Sequence, residues 1–270
     1  MRFEKWQALA NDYVIVEAGE LEGAEPSAEL VRALCDRHTG IGADGVLILG
    51  PPDEPGYVAR LRIFNPDGSE AELSGNGARQ AILYLRRAGW TDARQFSIQT
   101  AAGEIRPTIL SDTTCRVDMG RAVLGHEGDL QGFRFRHLTI GNPQTVIPVA
   151  DEDALEALDL AAIGRPIEAD PQFPQRTNVS WFAVLDPHTI RARIFERGVG
   201  ETASSGTGAS GAAIVHVLLG GESPVTVRLD GGDLEVEVGD DLHVDLTGWA
   251  VPVYRGELDA DRVLAQRVGQ

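Results

Sequence analysis

The chain repeats itself at one long offset. Shifted by 131 residues, Arg62–Phe64 (RIF) falls on Arg193–Phe195, and Ser74–Ala78 (SGNGA) falls on Ser205–Ala209 (SGTGA). Glu70 meets Glu201, Ala81 meets Ala212 and Asn11 meets Asn142 at the same shift. A single match would be coincidence, but several at one offset indicate a duplication. Two such periods nearly fill the 270 residues, and the period is far too long for a solenoid. Two homologous domains are therefore expected, over residues 1–125 and 126–270, with a functional cleft between them.

Each half has the same layout. A strand carries RIF, a polar loop follows, then the glycine cluster, and then an apolar stretch that reads as a helix. In the first half this helix is GARQAILYLRRAG, with Ala78, Ile82, Leu83 and Leu85 for a buried face. In the second it is GASGAAIVHVLLGG, apolar enough to be central and stopped by Gly220 and Gly221. Further helices are predicted at SAELVRALCDRH, after Ser27, and at DEDALEALDLAAIG. The stretch VTVRLDGGDLEVEVGDDLHVDL alternates and turns at DGGD and GDD, which predicts strands. FSIQTAAGEIRPTILSDTTCRVDMG plays that part in the first half. The fold class is α+β: two pseudo-symmetric domains, each a mixed or antiparallel sheet wrapped on a central helix.

Composition removes several functions. With 41 acidic residues against 24 basic, the net charge of −17 opposes nucleic acid and anionic membranes. No apolar run is long enough to span a bilayer, and MRFEKWQALANDY has no signal core, so a cytoplasmic protein is expected. Lys5 is the only lysine, which argues against a pyridoxal phosphate Schiff base. The six histidines lack ligand spacing, and no metal site is indicated. Cys35 and Cys115 read as buried free thiols. Neither glycine cluster continues into GK[ST], nor forms a GxSxG elbow. A homodimer is the default oligomer, although no residue pattern specifies one.

The clusters suit a small anion. A Ser-Gly-x-Gly loop opening a helix leaves backbone N–H groups without helical partners, where the helix dipole adds positive charge. Glycines let a carboxylate approach them closely. Two such loops related by duplication can grip one ligand from two sides.

The segments ALANDYVIV, DRHTGIGADGVLIL, RIFNPDGSEAELSGNGAR, GNPQTVIPV, TNVSWF and IFERGVGETASSGTGA resemble the diaminopimelate epimerase family over nearly the whole chain. The resemblance implies a cofactor-independent amino-acid epimerase with an amino-acid substrate. In that family two cysteines face each other across the substrate's α-carbon; one removes the proton and the other returns it to the opposite face. Here both positions are serine, Ser74 and Ser205. The family histidine after GNP is Gln144, while the glutamate serving the other thiol is kept as Glu196. By the same resemblance Asn11, Asn65, Asn142, Asn178 and Arg197 line the substrate pocket, with Asn65, Asn178 and Arg197 reading the distal amino-acid end. Gly75, Asn76, Gly206 and Thr207 would hold the reacting carboxylate through backbone N–H groups. Gly45 stands where some members carry a glutamine.

A serine hydroxyl ionises far less readily than a thiol. Three readings are open on the residues alone. The chain is an isomerase with altered proton chemistry, an epimerase whose cysteines were deliberately replaced, or an amino-acid-binding protein that has lost the reaction. Gln144 counts against the second, because trapping a ligand gives no reason to change the histidine as well.

Overall fold

The computed structural model of the chain describes residues 1–21 and 25–259. Two compact units emerge: Met1–Cys115 with the C-terminal segment that begins at Trp249, and Arg116–Gly248.

In the first unit the sheet order is Val251–Glu257, Arg2–Ala8, Asn11–Glu17, Gly45–Gly50, Ala59–Phe64, Ile98–Thr100 and Gly103–Ile105, with Glu70–Ala71 beside Ala59–Phe64. Asn11–Glu17 pairs parallel with Gly45–Gly50, and Ala59–Phe64 pairs parallel with Ile98–Thr100; the other neighbours are antiparallel. The sheet is therefore mixed, as expected. One helix, α1 (Ala28–Cys35), packs Val31, Leu34 and Cys35 against Val14, Val16, Val46 and Ile48. The longer α2 (Gly75–Arg87) buries nearly its whole length, from Asn76 to Leu85. It lies over Arg2–Ala8 and Asn11–Glu17. The period of two in each strand divides its apolar side chains between these helices.

The second unit repeats the plan on a larger sheet. Its order is Val123–Leu130, Phe133–Ile140, Asn142–Pro148, Asn178–Asp186, Thr189–Glu196, Val225–Leu229, Gly232–Val238, His243–Trp249 and Thr114–Arg121, with Gly200–Thr202 beside Thr189–Glu196. Two short helices, α3 (Glu152–Glu156) and α4 (Leu160–Glu168), cover one face. Leu155, Leu160 and Ile167 pack there with Phe135, Ile147, Trp181 and Phe195. The central α5 (Gly206–Leu218) is apolar all round and packs on Asn142–Pro148, Asn178–Asp186 and Gly232–Val238. It ends where expected: Gly220 takes φ +102°, a backbone state that favours glycine, and the Gly221 N–H returns to the His216 carbonyl.

Two boundaries differ from expectation. Residues 249–259 belong to the first unit rather than the second, because Val251–Glu257 pairs antiparallel with Arg2–Ala8. The first boundary falls inside Thr114–Arg121, not at residue 125. The helix expected at DEDALEALDLAAIG is also two helices. Asp151 caps α3 by accepting from Ala154 N, and Asp159 starts α4 by accepting from Ala162 N. A second capping carboxylate within the segment ends one helix and nucleates the next. Both cysteines are buried and free, and burial raises Cys35 to about 11 and Cys115 to about 12. No helix among the described residues is long and apolar enough to cross a membrane.

Candidate active site

Each SGxGA serine is the N-cap of its unit's central helix. Ser74 is extended (φ −134°, ψ 120°) and its Oγ accepts from Gly77 N at 3.1 Å. Ser205 takes nearly the same backbone (φ −146°, ψ 125°), with Oγ accepting from Gly208 N at 3.3 Å. Gly75, Asn76, Gly206 and Thr207 fill the first helical positions, whose N–H groups have no partner within the helix. The repeat in sequence is thus a repeat in geometry: each unit carries a serine-capped central helix.

In the first unit Asn11 begins the strand Asn11–Glu17. Its Nδ2 donates to Asp44 Oδ2 at 3.0 Å, and its carbonyl accepts from Gln80 Nε2 at 3.0 Å, so α2 and this strand end are tied together. Asp44 is itself held by Arg37, which also grips Asp12. Lys5, the only lysine, pairs with Asp12 at 2.8 Å. Arg37 and Lys5 together hold the Asp12 carboxyl down near 2 despite its burial. Asn76 is buried and accepts from the guanidinium of Arg79. Asn65 serves its own turn, its Nδ2 donating to Ser69 Oγ at 3.0 Å.

One residue that sequence reading passed over stands directly on Ser74. The Tyr13 hydroxyl donates to Ser74 Oγ at 3.1 Å, and Tyr13 itself is buried. Gly45 makes room for it. The two residues are register partners on parallel strands, and a Cβ on Gly45 would lie 2.5 Å from Tyr13 Cε1. The signal was available: at the repeat offset Tyr13 is the counterpart of Gln144.

In the second unit Asn142, Gln144, Asn178, Glu196 and Arg197 gather at the strand ends beside the start of α5. Gln144 and Asn178 are register partners, and Phe195, next to Glu196, pairs with Val179, next to Asn178. Gln144 is fully buried, lies against Gly211 of α5, and donates through Nε2 to Asn142 Oδ1. Asn178 Oδ1 accepts the Arg197 backbone N–H at 2.8 Å, while the Arg197 guanidinium donates to the Gln175 carbonyl. Thr207 lies under the tight turn at Gly141.

Glu196 has the most marked environment. Thr202 Oγ1 donates to its Oε1 at 2.8 Å, and the Ser205 hydroxyl also bonds its side chain. Desolvation raises the Glu196 pKa, with those two hydrogen bonds working against the rise. A carboxyl bonded to a hydroxyl at a helix N-terminus is placed to take or return a proton through that hydroxyl. Thr202 escaped the sequence reading; it sits in the short strand that pairs with the end of Thr189–Glu196.

The same glutamate loop is braced from behind. The Glu168 side chain is almost wholly buried, pairs with Arg176 at 2.5 Å and accepts from Gly198 N at 2.9 Å. Arg176 immediately precedes Thr177 and Asn178, so one carboxylate ties together the segments bearing Asn178 and Arg197.

The diaminopimelate epimerase family profile matches residues 3–125 and 137–256. A diaminopimelate epimerase from Aromatoleum aromaticum is 39% identical, covering 97% of this chain and 99% of its own length. One from Pelotomaculum thermopropionicum is also 39% identical, covering 95% of this chain and 98% of its own. Among solved structures, a predicted epimerase from Pseudomonas aeruginosa superposes with a TM-score of 0.71 at 18% identity, covering 96% of this chain and 99% of its own. That last likeness establishes the fold alone.

Proposed function

Because the chain belongs to the diaminopimelate epimerase family, a family of isomerases, we propose that it moves a proton at the α-carbon of a diaminopimelate-like amino acid without a cofactor. The observation that carries this reading is Glu196, a carboxyl with raised pKa hydrogen-bonded to the Ser205 hydroxyl. The N–H groups at Gly75, Asn76, Gly206 and Thr207 are the carboxylate-binding groups that the family resemblance implies, and the dipole of each helix favours negative charge at its start. Asn178 and Arg197 face the distal amino-acid end of the substrate, with Asn65, Asn11 and Asn142 as further polar contacts. An arginine and paired amides match a carboxylate and an ammonium.

Removal of the α-proton leaves its electron pair on carbon, delocalised into the carboxylate. Ser205 Oγ receives the proton and passes its own to Glu196. Ser74 stands in place of the other thiol, and Gln144 is a hydrogen-bonding group in place of the imidazole expected from the family.

Exchange of the α-hydrogen in heavy water, followed by NMR or mass spectrometry, tests the proposal. Deuterium should enter the α-carbon of diaminopimelate. Absence of exchange with diaminopimelate and with any basic or dicarboxylic amino acid would overturn it. If calorimetry then showed tight binding without exchange, a binding protein would be the better description.

A further inference from the structure

We infer that Tyr13 is the proton-relay residue of the first unit, delivering through Ser74 the proton that a serine alone cannot supply. This rests on the function proposed above and deepens it, since Glu196 serves Ser205 and leaves Ser74 without a proton source of its own.

Three features support the assignment. First, the Tyr13 hydroxyl donates to Ser74 Oγ at 3.1 Å while Gly77 N donates to the same oxygen at 3.1 Å. With both lone pairs of the serine engaged, its own O–H is left to donate elsewhere. Ser74 is thereby set up as a donor. Secondly, the ring has a seat made for it. A Cβ at Gly45 would meet Tyr13 Cε1 at 2.5 Å and Cδ1 at 3.0 Å, so the ring lies flush on the backbone of the adjacent strand. Thirdly, the repeat places Tyr13 opposite Gln144, and Ser74 opposite Ser205. Each serine is then served by a more acidic partner: a carboxyl for Ser205 and a phenol for Ser74. Phenols titrate near 10 as a class, far closer to neutrality than an aliphatic hydroxyl.

The step balances as written. Ser74 gives its hydroxyl proton to the carbanion, whose electron pair forms the new C–H bond. The Tyr13 proton moves to Ser74 Oγ, and a phenolate remains. Water then returns a proton to Tyr13 and accepts one from Glu196. From the other stereoisomer the transfers reverse, starting from the state with Tyr13 as phenolate and Glu196 protonated: Ser74 takes the α-proton while its own passes to the phenolate, and Ser205 gives its proton to carbon while Glu196 replaces it. Tyr13 acts through Ser74, so it is a positioning and relay residue rather than a group that touches substrate.

The test is Tyr13→Phe, which keeps the ring in its seat and removes only the hydroxyl. KM for diaminopimelate should stay within about twofold while kcat for interconversion falls by about 10²-fold or more, the range for loss of a general acid or base. In heavy water one stereoisomer should still exchange its α-hydrogen while the other does not, because only one face has lost its proton. A variant with wild-type kcat, or with exchange lost equally from both stereoisomers, would overturn the assignment while leaving the proposed function intact. If the wild type itself exchanges nothing, the functional proposal fails and the relay falls with it.

Discussion

Arg79→Met should stabilise the protein while impairing it. Arg79 has no solvent exposure, and its Nε and Nη1 have no partner among the described residues. Burial lowers its pKa from 12.5 to about 10. At roughly 1.4 kcal/mol per factor of ten, this is about 3 kcal/mol against the charged form. For a base with a depressed pKa the cost is fully present below the folded value and disappears only above the unfolded one. It is therefore constant across the neutral range. Methionine removes the charge and fills a similar unbranched volume. It also gives up the charge-assisted hydrogen bond to Asn76 Oδ1, worth about 1.5–3 kcal/mol. The net gain is between about zero and 1.5 kcal/mol, and each kcal/mol moves the midpoint of thermal unfolding by about 2–4 °C in a protein of this size class. Calorimetric unfolding at pH 6, 7 and 8 measures it, and the gain should not vary over that range. Turnover should fall, because the Asn76 amide at the helix start loses its orienting cation. Destabilisation by more than about 2 kcal/mol would show that the guanidinium is fully satisfied in the folded protein, and would refute the prediction.

Glu196→Gln should abolish most proton transfer, a loss of about 10²–10⁴-fold by analogy with other general bases. Its effect on stability has a definite sign. The native carboxyl has a raised pKa, so native stability is retained at low pH and declines as pH rises through that value. Glutamine cannot ionise, and its advantage in thermal unfolding should grow from pH 4 to pH 8. Ser205→Ala and Ser74→Ala each delete an N-cap and should cost about 1 kcal/mol in denaturant unfolding. Restoring cysteine at both Ser74 and Ser205 provides thiols at two helix N-termini, where thiolates are favoured. The double variant should exchange the α-hydrogen faster than the wild type at pH 8; a slower rate would mean that the serines are adapted to their partners.

The duplication was legible because it is written in identical residues at one offset, and the two central helices follow from the apolar runs behind each glycine cluster. The serine caps were legible too, since SGxG places a hydroxyl just before a helix. What escaped were contacts made across strands. Nothing in ALANDYVIV sets Tyr13 apart, and only the parallel register with Gly45 gives its ring a place beside Ser74. Glu168 is 30 residues from Gly198, and its role depends on a fold-back that no local pattern reports. The break between α3 and α4 turned on Asp159 capping rather than solvating, a choice made by packing of Leu160 and Ile167. The C-terminal strand lacked any cue that its partner would be the first strand of the chain.

The central claim is that the Glu196–Ser205 pair moves the α-proton of a diaminopimelate-like amino acid. Exchange of the α-hydrogen of diaminopimelate in heavy water, compared between the wild type and Glu196→Gln, tests it most directly. The account predicts exchange by the wild type and a rate lower by about 10²-fold or more in the variant. Equal rates in the two proteins would contradict it.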